Sequence, residues 1–253
     1  MGEDLASTCR RTIAHASIQN LAAAVGTLIE AKEAKWEYDI PEPSRRVKSI
    51  GIGIDGTCML MTEDGGREAM TGTIAFYDSE GERMHTTYVA ATPEYGQEQF
   101  KTKMGRAIER ITLRYPHASV TGLGDGAKDD WSFLAQYSDR PVIDFWHVSQ
   151  SVHKVADARW GDAKRHREEK EAWLEDRPHE LKHMDGYAEK LLSEFKVLAK
   201  ECKSASRREQ VETSIKYFTN NKSRMLYGEQ VRRGAPIGSG VTEAACKIVV
   251  KQR

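Results

Sequence analysis

Val47-Lys48-Ser49-Ile50-Gly51-Ile52-Gly53-Ile54-Asp55-Gly56-Thr57-Cys58-Met59-Leu60 carries isoleucine at 50, 52 and 54, with Gly51, Gly53 and Asp55 in the alternate positions. That period of two is the signature of a β-strand with one aliphatic face. The other face is bare until it presents a carboxylate. An unpaired buried charge costs several kcal/mol, on the order of 3–5. Asp55 therefore reads in one of two ways: as a turn residue opening the Asp55-Gly56 corner, or as an acid that meets a cation.

The stretches around this strand set the architecture. Asp64-Gly65-Gly66 and Asp78-Ser79-Glu80-Gly81 are turn signals that bound two further strands, residues 70–77 and 84–91, and the three form an antiparallel meander. Phe100, Met104, Ala107, Ile108 and Ile111 recur at helical spacing within 95–114, and Pro116 ends that helix. A strand at 119–124, a short helix at 128–137 and a strand at 141–145 follow. Three antiparallel strands and then alternating helices and parallel strands is an order that resembles the ribonuclease H architecture, so the expected fold class is α/β with a mixed sheet. Residues 148–233 are rich in Lys, Glu and Ala, contain the single proline Pro178, and read as an all-helical insertion. Upstream, Leu5, Ile13, Ile18, Leu21, Val25 and Leu28 suit two short helices or one broken one. The entry through Ala14-His15-Ala16-Ser17 is compatible with the latter half of a helix-turn-helix or with a simple packing helix. Pro41 and Pro43 mark a linker. The expected division is 1–46 as helical segment and linker, 47–147 with 234–253 as core, and 148–233 as insertion.

Composition narrows the classes. The chain has 253 residues, 30% of them charged, a net charge of zero and a mean hydropathy of −0.62. No apolar run approaches the length of a membrane span, and the acidic start Met-Gly-Glu-Asp-Leu is unlike a signal peptide. Cys9, Cys58, Cys202 and Cys246 are scattered without metal-finger spacing, as reduced cytoplasmic thiols would be. Charge is unevenly spread: residues 51–150 hold 9 Lys and Arg against 15 Asp and Glu, whereas 196–253 hold 13 against 5. An acidic middle suits divalent cations and a basic end suits phosphates, although solvated helix faces produce the same tally.

A second strand ends as the first does, in Gly122-Leu123-Gly124-Asp125-Gly126. Ligands gather at the carboxyl ends of parallel strands, and two acids there suit a two-metal site, whose ions about 3.5–4 Å apart need oxygen ligands. A third carboxylate is expected on a helix returning to the same edge. Glu243, in the first turn after Gly238-Ser239-Gly240-Val241-Thr242, is the candidate, and the helix dipole alone also favours a glutamate there. Asp129 and Asp130 read as helix-start residues.

Gly53-Ile54-Asp55-Gly56, Gly124-Asp125-Gly126-Ala127, Asp144-Phe145-Trp146-His147 and the run from Gly238 to Lys247 together resemble bacterial insertion-sequence transposases of the ISKra type, within the Mutator-like transposases. The resemblance covers residues 47–253. It implies an Asp-Asp-Glu triad of Asp55, Asp125 and Glu243 holding two Mg²⁺ ions, with Mn²⁺ as substitute. It further implies cleavage of double-stranded DNA at transposon ends, followed by attack of the freed 3′-hydroxyl on target DNA. Asp144 and His147 match an Asp-x-x-His feature and are expected to buttress the site or position DNA, with a core or capping histidine as the competing reading. Arg232, Arg233, Lys247 and Lys251 flank the third acid as expected phosphate contacts. The resemblance also implies a homodimer or larger assembly on DNA and a cytoplasmic, nucleoid-associated location. Family members continue past this carboxyl end with a further basic stretch and carry a longer end-recognition region, so a fragment, a frameshifted product or a trimmed chain is expected. Two other functions fit the same residues: a structure-selective nuclease or resolvase, and a DNA-binding transposase relic without catalysis.

Overall fold

The computed structural model describes residues 14–33, 37, 39–61, 65–91, 97–138, 140–161 and 164–251. The chain divides into two compact units, Met1–Asp39 and Ile40–Arg253. In the first, α1 (His15–Glu33) is one continuous helix. Its stripe of Leu21, Val25 and Leu28 is exposed. Leu5 and Ile13 lie outside the described residues, together with whatever would form the first half of a helix-turn-helix.

The second unit is α/β. β1 (Ser49–Met61), β2 (Gly65–Tyr77) and β3 (Arg83–Ala90) form the antiparallel meander. After α2 (Glu98–Arg114), β4 (Ser119–Gly124) adds parallel to β1. After α3 (Lys128–Leu134), β5 (Arg140–Ile143) adds parallel to β4. The sheet order is β3-β2-β1-β4-β5, with the quoted strand at its centre. The strand expected over 141–145 is shorter than its apolar run, because Asp144 leaves the sheet to cap α4 (Phe145–Trp160) and Phe145 is already helical. Capping satisfies an otherwise orphaned helix N–H, and here it outweighs the strand propensity of Phe145 and Trp146.

Each face of β1 has its own cover. Ile50, Ile52 and Ile54 pair with Phe76, Ile74 and Gly72 of β2. A β-carbon at Gly72 would touch Met104 and Phe100, so this aliphatic face lies under α2. Gly51, Gly53 and Asp55 pair with Ala75, Thr73 and Thr71 on the opposite face. There the carboxyl-terminal segment lies directly on the strand. A β-carbon at Gly51 would come within 2.9 Å of Pro236 Cγ, and one at Gly53 within 2.1 Å of Thr242 Oγ1. Thr242 and Thr73 join their buried hydroxyls at 2.6 Å. The glycine face is thus bare because a later part of the chain occupies it.

Between the two halves of this unit, α4 is followed by α5 (Arg167–His183), α6 (Tyr187–Glu201), α7 (Ala205–Asn221) and α8 (Tyr227–Arg232), with no strand among the described residues of 148–233. Their core is aromatic: Phe195 stacks edge-on against Phe218 at 5.1 Å and lies 6.5 Å from Trp173. Ser214 of α7 donates to the Ser151 carbonyl of α4 at 3.3 Å. Tyr227 donates to the Ile143 carbonyl at 2.9 Å and so fastens the returning chain beneath β5. The last helix, expected over 241–250, is α9 (Gly240–Ala245) running into a π-helical turn, Cys246–Lys251. No described helix is long and apolar enough to cross a membrane.

Gly53→Ala should cost about 1–3 kcal/mol through overpacking. Adding Thr242→Ala, which removes the clashing hydroxyl, should recover part of that loss. Chemical denaturation of the two single variants and the double variant measures the coupling, and additive effects would contradict the contact.

Candidate active site

The acids converge because of strand register. The last aligned β1–β4 pair is Gly53 with Leu123, so Asp55 and Asp125 each stand two residues beyond it on neighbouring parallel strands. Leu123 shares the glycine face, since a β-carbon at Gly51 would lie 3.4 Å from its Cδ1. Asp55 is half-buried, whereas Asp125 is exposed and its Oδ1 accepts from the Ala127 N–H at 3.1 Å.

Asp144 joins three parts of the chain. Its N–H donates to the Gly124 carbonyl at 2.9 Å, holding it at the end of β4. Its Oδ1 accepts from the His147 N–H at 2.9 Å, capping α4. Its Oδ2 accepts from both the N–H and, at 2.7 Å, the hydroxyl of Ser239, the residue before α9. With 1% of its surface exposed and three donors around it, this carboxylate is a latch between α4 and α9. One turn into α4, His147 Nε2 comes within 3.5 Å of Glu243 Oε1. Ligand atoms of Asp144, His147 and Glu243 all fall within 4.8 Å of one another. Glu243 Oε1 is sealed from solvent and has no hydrogen-bond partner among the described residues. The three residues close enough to share one ion are therefore Asp144, His147 and Glu243, while Asp55 and Asp125 stand apart from that trio on the strand ends. Asp55 touches the same carboxyl-terminal segment through its backbone, whose carbonyl accepts from Cys246 Sγ at 3.8 Å. Burial, and then the Asp55 charge, push the Cys246 thiol up.

Two acids escaped the reading of the sequence. Asp130, read there as a helix-start residue, is pushed up to about 6 by burial first and then by the charges of Asp125, Glu68 and Asp55, against the pull of Lys101. Glu68 reaches over Gly56, where a β-carbon would meet its Oε1 at 2.2 Å, and accepts from Gln97 Nε2 at 2.7 Å. The available signal was weak: an acid in the first turn after Asp125, and one beside a residue with no side chain. The helical segment contributes Tyr217, whose buried hydroxyl has no partner among the described residues. Burial raises its pKa well above the usual tyrosine value, and the Asp144 and Asp125 charges add to the effect.

The expected phosphate contacts divide. Arg232 donates to Asp185 at 2.6 Å, and Arg233 to Glu229 at 3.1 Å, a carboxylate that Arg140 also grips. Such surface pairs are worth about 0–1 kcal/mol, so both arginines can exchange them for phosphate. Lys247 is exposed, and the Lys251 side chain lies outside the described residues.

Compared with known proteins, the chain matches no protein-family model and no curated protein. Its functional reading therefore rests on the strand order and on this group of side chains.

The Asp130 pKa gives a signed prediction. Folding raises it above the unfolded value of 3.8 to about 6. The folded state therefore holds the proton more tightly, and stability falls as pH rises between those two values. In EDTA, Asp130→Asn should melt higher than wild type at neutral pH and equally below about pH 4. Equal melting of the two at neutral pH would show that these acids do not crowd one another.

Proposed function

We propose that this chain is the catalytic core of a DNA transposase of the ribonuclease H-like class, cutting phosphodiesters at element ends and joining the freed 3′-hydroxyls to target DNA. The observation that carries the reading is the sheet order β3-β2-β1-β4-β5, with Asp55 and Asp125 at equal register on the adjacent ends of β1 and β4. Glu243 is brought to the same face by the segment lying on Gly51 and Gly53.

The donor set suits a hard divalent cation. It is rich in carboxylate oxygen, and one of its oxygens, Glu243 Oε1, is buried with no donor to satisfy it. Asp55, Asp125 and Glu243 are the residues that would hold Mg²⁺, or Mn²⁺ in its place. When bound, a pair of such ions activates the attacking and leaving oxygens of an in-line phosphoryl displacement. The remaining residues hold that arrangement. Asp144 fixes the start of α4 to the turn before α9, and His147 limits the directions the Glu243 side chain can take. Asp130 and Glu68 add negative charge that favours cation entry. Arg232, Arg233 and Lys247 supply exchangeable cations for the DNA backbone, and the need to hold two ends makes a homodimer or larger assembly the active species on double-stranded DNA.

Nicking of supercoiled plasmid in Mn²⁺ tests the cutting step, and recovery of joined products tests strand transfer. Asp55→Asn, Asp125→Asn and Glu243→Gln should each lower nicking by on the order of 100-fold or more. His147→Ala, acting through Glu243, should lower it by about 10–100-fold. Variants that nick as fast as wild type would overturn the reading. Cutting of branched DNA without joining would move it to a resolvase on the same fold.

A further inference from the structure

Arg224 closes the short 3-10 turn, Lys222–Arg224, that follows α7 and packs on β5. Its guanidinium carbon lies 4.6 Å from the centre of the Trp131 ring. Trp131 is itself buried against β4, where a β-carbon at Gly124 would come within 3.2 Å of the ring. The residue after Gly124 is Asp125, so Arg224 is held beside the acidic end of the sheet through an aromatic spacer. Its surroundings differ from those of the nearby arginines. Arg140 and Arg233 are paired with Glu229, and Arg232 with Asp185. Among the described residues Arg224 has no hydrogen bond or ion pair, its Nε is buried and unpartnered, and the side chain as a whole is half-buried. Stacking occupies the flat face of a guanidinium and leaves its rim of N–H donors available, in a plane matched to two oxygens of a phosphate. A buried donor without an acceptor is a cost that a bound ligand can remove.

We infer that Arg224, levelled by Trp131, is a phosphate contact for a DNA strand lying across the carboxyl ends of β4 and β5. This rests on the transposase reading for its substrate. It adds a residue to the binding surface and gives the helical segment a task, because the turn that ends α7 delivers the cation.

The test is the affinity of the full chain for a labelled DNA duplex, measured over a range of salt with Ca²⁺ in place of Mg²⁺. Arg224→Gln should weaken binding by about 5–20-fold and flatten the slope of log affinity against log salt by about 1. Its melting temperature should not change, since no internal partner is lost. Arg224→Lys should recover the slope but only part of the affinity. An unchanged slope in Arg224→Gln overturns the inference, as does a fall in melting temperature with the slope intact. If that slope stays unchanged while Glu243→Gln abolishes nicking, only the inference fails. If the slope flattens while Glu243→Gln nicks normally, the transposase reading fails and the phosphate contact stands. Absence of wild-type binding removes both.

Discussion

The Thr242 hydroxyl stands where a β-carbon of residue 53 would be, 2.1 Å from that position. A segment nearly two hundred residues later in the chain therefore lies in van der Waals contact with the backbone of the central strand. That contact brings Glu243 to the sheet end where Asp55 and Asp125 stand, and the Thr242–Thr73 hydroxyl pair fixes its position along the strand. Asp144 adds a second fastening at the other side, since one carboxylate takes the His147 N–H of α4 and both donors of Ser239. If either fastening is removed, the returning segment loses its register and the acids no longer share a face.

What the sequence shows by itself follows the reach of each interaction. β1, the meander, β4 and the helices have period-two or period-3.6 patterns set by neighbours within a few residues, and they were legible. So were Asp55 and Asp125, because an acid at the end of an apolar strand is a local anomaly. The role of Gly51 and Gly53 was not, since the side chains that need their space, Pro236 and Thr242, are distant in sequence. The end of β5 was misread by two residues, because apolar Phe145 and Trp146 look like strand while the capping geometry of Asp144 makes them helix. Asp130 and Glu68 were missed because their proximity to the other acids depends on sheet register and on how α3 meets β4. Arg224 carries no local signal at all, since its partner Trp131 lies in another element and is found only through packing.

Electrostatically, the acidic middle of the chain and its basic last quarter meet at one end of the sheet. The acids crowd enough to hold a proton on Asp130 up to about 6, and the Tyr217 and Tyr227 hydroxyls are raised by burial with the Asp144 charge adding to it. The basic residues mostly answer acids elsewhere: Arg232 with Asp185, and Arg140 and Arg233 with Glu229. Negative charge at the strand ends is therefore left without internal compensation. On the proposed function, divalent cations supply that compensation, and the polyanionic substrate arrives with them.

The central claim is that Asp55, Asp125 and Glu243 act as one cation site because the carboxyl-terminal segment lies on the glycine face. Calorimetric titration of Mn²⁺ into wild type, Asp55→Asn, Asp125→Asn, Glu243→Gln and Gly53→Ala tests it most directly. The account predicts saturable binding by the wild type that is weakened in each carboxylate variant, and equally in Gly53→Ala, which touches no ligand but displaces the segment carrying Glu243. Binding that survives unchanged in the carboxylate variants, or in a folded Gly53→Ala protein, would contradict it.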